Sequence, residues 1–218
     1  MDWTMLAVGI PALLLSVSAH EAAHGWAADR YGDPTARELG RLTLNPIKHL
    51  DPFMSVILPF ILIVSGSGII FGGAKPVPFS PHRMRPGTNI KKAIMWVAAA
   101  GPISNFIMAF VSLFLLETLR ARLGYQSTQS FVGGFLKAMY QINLVLGMFN
   151  LLPIPPLDGA KVLAGFLPDP LAIKMYQLER YAMVFFLLII LTPVSKLIFG
   201  PMNLLDRGFR VLVSGLVW

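Results

Sequence analysis

Residues 11–30 read PALLLSVSAHEAAHGWAADR. With the residues before it, the stretch is apolar for long enough to cross a bilayer, yet His20, Glu21 and His24 sit inside it. An ionisable group in hydrocarbon is costly unless something compensates it, so such a group marks a functional site by default. Whether this segment spans a membrane decides the fold class, and the rest of the chain has to supply the compensation.

The composition answers the first point. Of 218 residues, 55% are hydrophobic and 13% charged, and the mean hydropathy is +0.65, which excludes an ordinary soluble domain. The net charge of +7 does not indicate nucleic acid, because no basic stripe interleaved with aromatics and no reader motif accompanies it. The basic residues gather in two loops instead, as positive-inside sorting predicts. There is no cysteine, which excludes disulfides, thiolate ligands and a thiol nucleophile. The N-terminal stretch reads as a span rather than a cleaved leader, since it begins with Asp2 and stays apolar beyond its small residues.

The expected architecture is an all-α polytopic membrane protein with about four full spans, near residues 5–28, 93–118, 131–152 and 177–199. A fifth hydrophobic segment, 53–71, is barely long enough to cross. One basic loop precedes it (Arg30, Arg37, Arg41, Lys48) and another follows (Lys75, Arg83, Arg85, Lys91, Lys92). A single crossing would put one of these loops outside, so a re-entrant hairpin bent around Pro59, Gly66 and Gly68 is the expectation. A small membrane-associated β element is expected near 72–79. The chain reads as one integral-membrane domain, 1–218, with a core over about 5–165 and a C-terminal helix and tail over 170–218.

On an α-helix, residues i and i+4 share a face, so His20 and His24 can direct ring nitrogens to one ion with Glu21 beside it. Zinc suits imidazole, and a catalytic zinc site takes three protein ligands and keeps one position for water. Most acids of the chain lie in basic loops or at span ends. Asp158, in FNLLPIPPLDGAKV, lies where three prolines end a helix and Gly159 permits close approach. From the residues alone, Asp158 is either the third ligand or the cap of the helix that follows.

HEAAH in a first helix, GPISN in the next and NLLPIPPLDG after a third together resemble the site-2 protease family of intramembrane zinc metalloproteases. LNPIKHLDP followed by FGGAKPVPF is similar to its compact bacterial and archaeal branch, which lacks PDZ and CBS modules. The resemblance runs over roughly residues 15–165. It implies one zinc per chain held by His20, His24 and Asp158, and Glu21 as catalytic base. It also implies a membrane-spanning substrate cut near its cytosolic side, and a prokaryotic cell membrane as the location. The expected partners are that substrate and the lipid bilayer, with no nucleic acid.

Charge developing on the scissile carbonyl needs donors, and Asn105 and Asn150 are the polar candidates at membrane depth, with an interhelical hydrogen bond as the equal alternative. In GGAKPVPF, Pro76 and Pro78 close one edge of an extended segment, which leaves Lys75, Val77 and Phe79 as donors to an unwound substrate; an irregular connector is the alternative. His49 reads as a loop histidine or a partner of Asp51 rather than a fourth ligand, and His82 as solvated. The rival to an endopeptidase is a metal-binding transporter or scaffold. A transport site, however, has no need of a carboxylate in the HExxH register.

Overall fold

The computed structural model describes residues 3–51, 75–182, 184 and 194–217. Its helices are α1 (Trp3–Arg30), α2 (Thr35–Glu38), α3 (Ile90–Leu123), α4 (Phe131–Asn150), α5 (Asp158–Phe166), α6 (Asp169–Leu178) and α7 (Val194–Val217). Three of them are long and apolar enough to cross a membrane: Leu6–Arg30 of α1, Ile90–Leu123 and Phe131–Asn150. These match three of the four expected spans.

Local chemistry sets the helix ends. The Asn89 side chain accepts from the Lys92 N–H at the start of α3, and the Ser130 side chain accepts from the Gly133 N–H at the start of α4, each satisfying an orphan amide. Helix α3 stops at Gly124, whose φ of 80° suits a residue without Cβ. Arg120 and Arg122 lie in its last turn, where positive charge complements the helix dipole. Helix α4 runs into a segment containing Pro153, Pro155 and Pro156, which cannot continue it.

Helices α1, α3 and α4 form the bundle. Ala27 and Ala28 of α1 pack with Ala93 and Val97 of α3, while Ser16 lies beside Asn105, so α1 and α3 run antiparallel. Ser16 also meets Asn143 and Val8 lies opposite Gly134, so α4 runs parallel to α1. Large apolar residues such as Ile10, Leu13, Ile103, Ile107 and Val111 remain exposed on these helices, as a lipid-facing surface requires. Helix α7 covers α3 and α4 with Leu205, Phe209 and Val213. Asp206 of α7 accepts from the Tyr140 hydroxyl at 2.6 Å and pairs with Arg210 at 2.9 Å.

The two basic loops stack at one end of the bundle. Asp33, fully buried, accepts from the N–H groups of Thr35 and Ser80. Arg85 N–H donates to Tyr31 O, and Arg83 forks onto Glu38 through two bonds of 2.7 Å. Asp33 is therefore a buried tie between loops, not the solvated loop acid its basic surroundings suggest.

Two expectations need correction or fall elsewhere. No β-strand occurs among the described residues, so the β element near 72–79 is not present over 75–79; residues 72–74 lie outside them. The reason lies in the donors: Pro76 and Pro78 have no N–H, and Val77 between them gives its N–H to the Glu21 side chain rather than to a neighbouring strand, which leaves Lys75, bonded to His49 O, as an isolated backbone contact. The segment 53–71 and residues 183 and 185–193 of the expected fourth span, 177–199, lie outside the described residues. At the edges of that fourth span, α6 ends at Leu178, a 3-10 turn covers Glu179–Tyr181, and α7 begins at Val194.

Helix packing distinguishes two kinds of glycine. A Cβ on Gly165 would lie 2.5 Å from Met95 Cβ, wedging α5 from α3, whereas one on Gly208 would meet nothing within 4 Å. Gly165→Val is expected to destabilise the chain by about 1–3 kcal/mol through overpacking. Gly208→Ala is expected to stabilise it by about 0.5–1 kcal/mol through helix propensity. Thermal unfolding of the two variants in detergent measures both, with opposite shifts in midpoint.

Candidate metal centre

His20 and His24 lie one turn apart on α1, and their Nε2 atoms approach to 3.0 Å. Asp158, the first residue of α5, brings Oδ2 to 3.1 Å from His20 Nε2 and 3.3 Å from His24 Nε2. The ligand atoms of the three residues lie within 4.8 Å of one another. Asp158 does not cap α5: the capping position is Leu157, with no side-chain bond.

The far side of each ring decides what the near side offers. His24 Nδ1 lies 2.7 Å from Val97 O, a backbone carbonyl that only accepts, so Nδ1 carries the hydrogen and Nε2 presents its lone pair. His20 Nδ1 lies 2.6 Å from Asn105 Oδ1 and is set the same way. Two imidazole lone pairs and the carboxylate of Asp158 thus converge on one point. Three acceptors at such distances repel one another unless a cation lies between them, and two nitrogens with one carboxylate oxygen form a zinc donor set.

Two glycines make the approach possible. A Cβ on Gly101 of α3 would sit 2.5 Å from His24 Cε1 and 2.6 Å from His20 Cε1, so the Gly of GPISN leaves room for the two rings. A Cβ on Gly159 would collide with the backbone of Leu151 and Leu152. That glycine lets α5 begin directly against the end of α4, which carries Asp158 to the histidines.

His20, His24 and Asp158 line a cavity of about 260 Å³, and Glu21 lies on its wall together with Val77, Phe79, Asn150 and Lys161. Its Oε2 accepts from the Val77 N–H at 2.8 Å. Gly25 makes this possible, since a Cβ there would meet Val77 Cγ1 at 3.1 Å and Leu42 Cδ2 at 2.7 Å. Of the three donors expected to face a substrate strand, Lys75 and Val77 are therefore engaged within the chain, and Phe79 lines the cavity.

The two asparagines part company. Asn150 lines the cavity and donates one hydrogen to Leu146 O at 3.0 Å, which leaves the other. Asn105 is fully buried behind His20. Its oxygen takes the His20 hydrogen, and its amide donates to Asn143 Oδ1 at 2.8 Å and Ser16 O at 3.5 Å. These contacts are the interhelical hydrogen bonding that is the alternative to an oxyanion role. His49 bonds Thr43 O at 2.8 Å and does not join the metal-ligating group, and His82 is exposed.

Sequence reading missed Asn143, Lys161 and Glu179. Lys161 pairs with Glu179 at 3.2 Å on the cavity wall. The available signals were positional: Lys161 is three residues from Asp158, on the same helix face, and Asn143 is a polar residue within an apolar span.

Gly101→Ala is expected to leave the chain folded, because Ala favours a helix. It should weaken metal binding about tenfold or more by parting the rings, the scale of disturbing ligand orientation. Zinc competition with a chelator on the purified chain checks this; unchanged affinity would show that the rings do not depend on that contact.

The profile of peptidase family M50 matches residues 8–191. A protein of Bacillus subtilis (strain 168) named "Putative zinc metalloprotease YwhC" is 40% identical over 193 residues, covering 87% of this chain and 83% of its own length. "Putative zinc metalloprotease Rip2" of Mycolicibacterium smegmatis is 34% identical over 182 residues, 83% of this chain and 65% of that protein. "Putative zinc metalloprotease MJ0611" of Methanocaldococcus jannaschii is 38% identical over 112 residues, 51% of each chain. No solved structure matches. With a donor set suited to zinc at the centre of an apolar helix bundle, the chain belongs to peptidase family M50, the site-2 protease family, and is an integral-membrane zinc metalloprotease.

Proposed function

We propose that the chain is an intramembrane endopeptidase that hydrolyses a peptide bond within or near a transmembrane segment of a substrate protein. In this reading His20, His24 and Asp158 hold the zinc, Glu21 is the general base, and residues 1–218 act as one domain. The observation that carries it is the convergence of the three ligating atoms on the cavity that Glu21 also lines. The basic loops stacked beside the C-terminal end of α1 and the N-terminal end of α3 favour a site near the cytosolic face of a prokaryotic cell membrane.

Bound there, zinc would lower the pKa of a water to about 7 and polarise a carbonyl. Glu21 takes the proton from the attacking water and returns it to the leaving amine. Because Oε2 is held by the Val77 N–H, Oε1 is the oxygen that moves the proton. Asn150 has a hydrogen free for the substrate carbonyl at the cavity wall.

Two tests follow. Glu21→Gln keeps shape and loses the proton acceptor, so turnover of a transmembrane peptide should fall about 10²–10⁴-fold while zinc content stays normal. Near-normal turnover would remove Glu21 as the base. Val77→Pro deletes the donor that holds Glu21, and a lost hydrogen bond of about 1 kcal/mol should lower kcat several-fold with little change in KM. Val77→Thr keeps the N–H and should match the parent. A rise in kcat for Val77→Pro would mean instead that the bond restrains Glu21 from working.

A further inference from the structure

His24 receives its orientation from a backbone carbonyl, which can only accept. His20 does not. Its Nδ1 faces a side-chain amide, and a half-turn of that amide would exchange oxygen for NH₂ in nearly the same space. An NH₂ group there would favour the opposite tautomer, with a hydrogen on Nε2 inside the site, where it cannot ligate. Something beyond Asn105 must choose between the two.

The next residue in the network does so. Asn143 Nδ2 lies 2.8 Å from Met139 O and 2.7 Å from Ser16 Oγ. Met139 O accepts only. The Ser16 hydroxyl points its hydrogen at Ala12 O, 2.7 Å away, so toward Asn143 it offers a lone pair. The amide nitrogen of Asn143 must therefore face both, which leaves Asn143 Oδ1 facing Asn105. Asn105 must answer with Nδ2, at 2.8 Å, and so turns its own oxygen to His20. Ser16, Asn105 and Asn143 are each fully buried, so no solvent is at hand to restore a mismatched member, and the direction of every bond follows from the two backbone carbonyls.

We propose that Asn143, supported by Ser16, is a positioning residue for the metal centre. It acts through Asn105 to keep the hydrogen of His20 on Nδ1 and the Nε2 lone pair on the ion. This rests on His20 being a zinc ligand, as proposed above.

The test uses the full chain in detergent and zinc as the probe, with affinity read by chelator competition. Asn143→Leu keeps the volume and removes the polarity, and should weaken zinc binding about 10–100-fold, the usual effect of losing a ligand's outer hydrogen-bond partner. Asn105→Asp offers His20 an acceptor whichever oxygen faces it. In the Asn105→Asp chain, Asn143→Leu should therefore leave zinc affinity unchanged or improve it, since Asn143 Oδ1 would otherwise oppose a carboxylate oxygen. Thermal unfolding with chelator present reports packing, and Asn143→Leu should shift it similarly in both chains. Asn143→Ala is measured alongside in the same two chains, so a leucine variant that fails to fold leaves the comparison intact. Equal loss of zinc affinity with and without Asn105→Asp would show that Asn143 serves packing alone and overturn the relay, as would no loss in either. A parent chain that binds no zinc would overturn the metal centre and the relay together, whereas a zinc-binding parent with an indifferent Asn143 removes the relay alone.

Discussion

Lone pairs cannot be left facing one another in an apolar bundle, and that constraint organises this protein. Two imidazoles and a carboxylate meet at about 3 Å among three helices fit to span a membrane. Everything behind them acts to keep those lone pairs pointed inward. Val97 O holds one ring and Asn105 the other, and the Ser16–Asn143 pair closes the network on backbone carbonyls. Behind the rings, Ser16, Asn105 and Asn143 are fully buried, so each of these polar groups has to find its partner inside the protein.

Helix α3 is the scaffold on which these requirements meet. Within nine residues it supplies the carbonyl of Val97, the bare surface of Gly101 and the amide of Asn105, all directed at α1. The spacing is helical: 97, 101 and 105 are each one turn apart, so a single stripe of α3 orients and clears both rings. Pro102 sits in the same stretch and is fully accommodated in the helix, as membrane helices allow when neighbours satisfy the freed backbone.

The open side of the site is built from loops rather than spans. Asp33, Arg85 and Arg83 lock the loop after α1 to the loop before α3, and that packing brings Val77 down onto Gly25 and Glu21. The carboxylate beside the first histidine is thus held by a backbone N–H from a segment whose neighbouring prolines have none to give. A loop anchored this way lies over the site, tied to the loop after α1 by the buried Asp33.

By itself the sequence determined the parts that depend on spacing and composition: three spans, the i, i+4 pairing of His20 with His24, the exclusion of thiol chemistry, and a break after α4 that ends in Asp158. Such features are local, because helical period, apolar run length and proline content act within one segment. That Asp158 reaches the two histidines instead of capping α5 depends on where the start of α5 lands, and so on Gly159 meeting the backbone at the end of α4. Separating Asn105 from Asn150 was likewise beyond sequence. Both are asparagines in apolar helices, and only packing puts one behind His20 and the other on the cavity wall. Asn143 and Val77 owe their roles entirely to contacts 127 and 56 residues away. A hydrogen bond between distant segments leaves no period in the chain, so tertiary structure alone decided which way each amide faces and which lone pairs reach the metal centre.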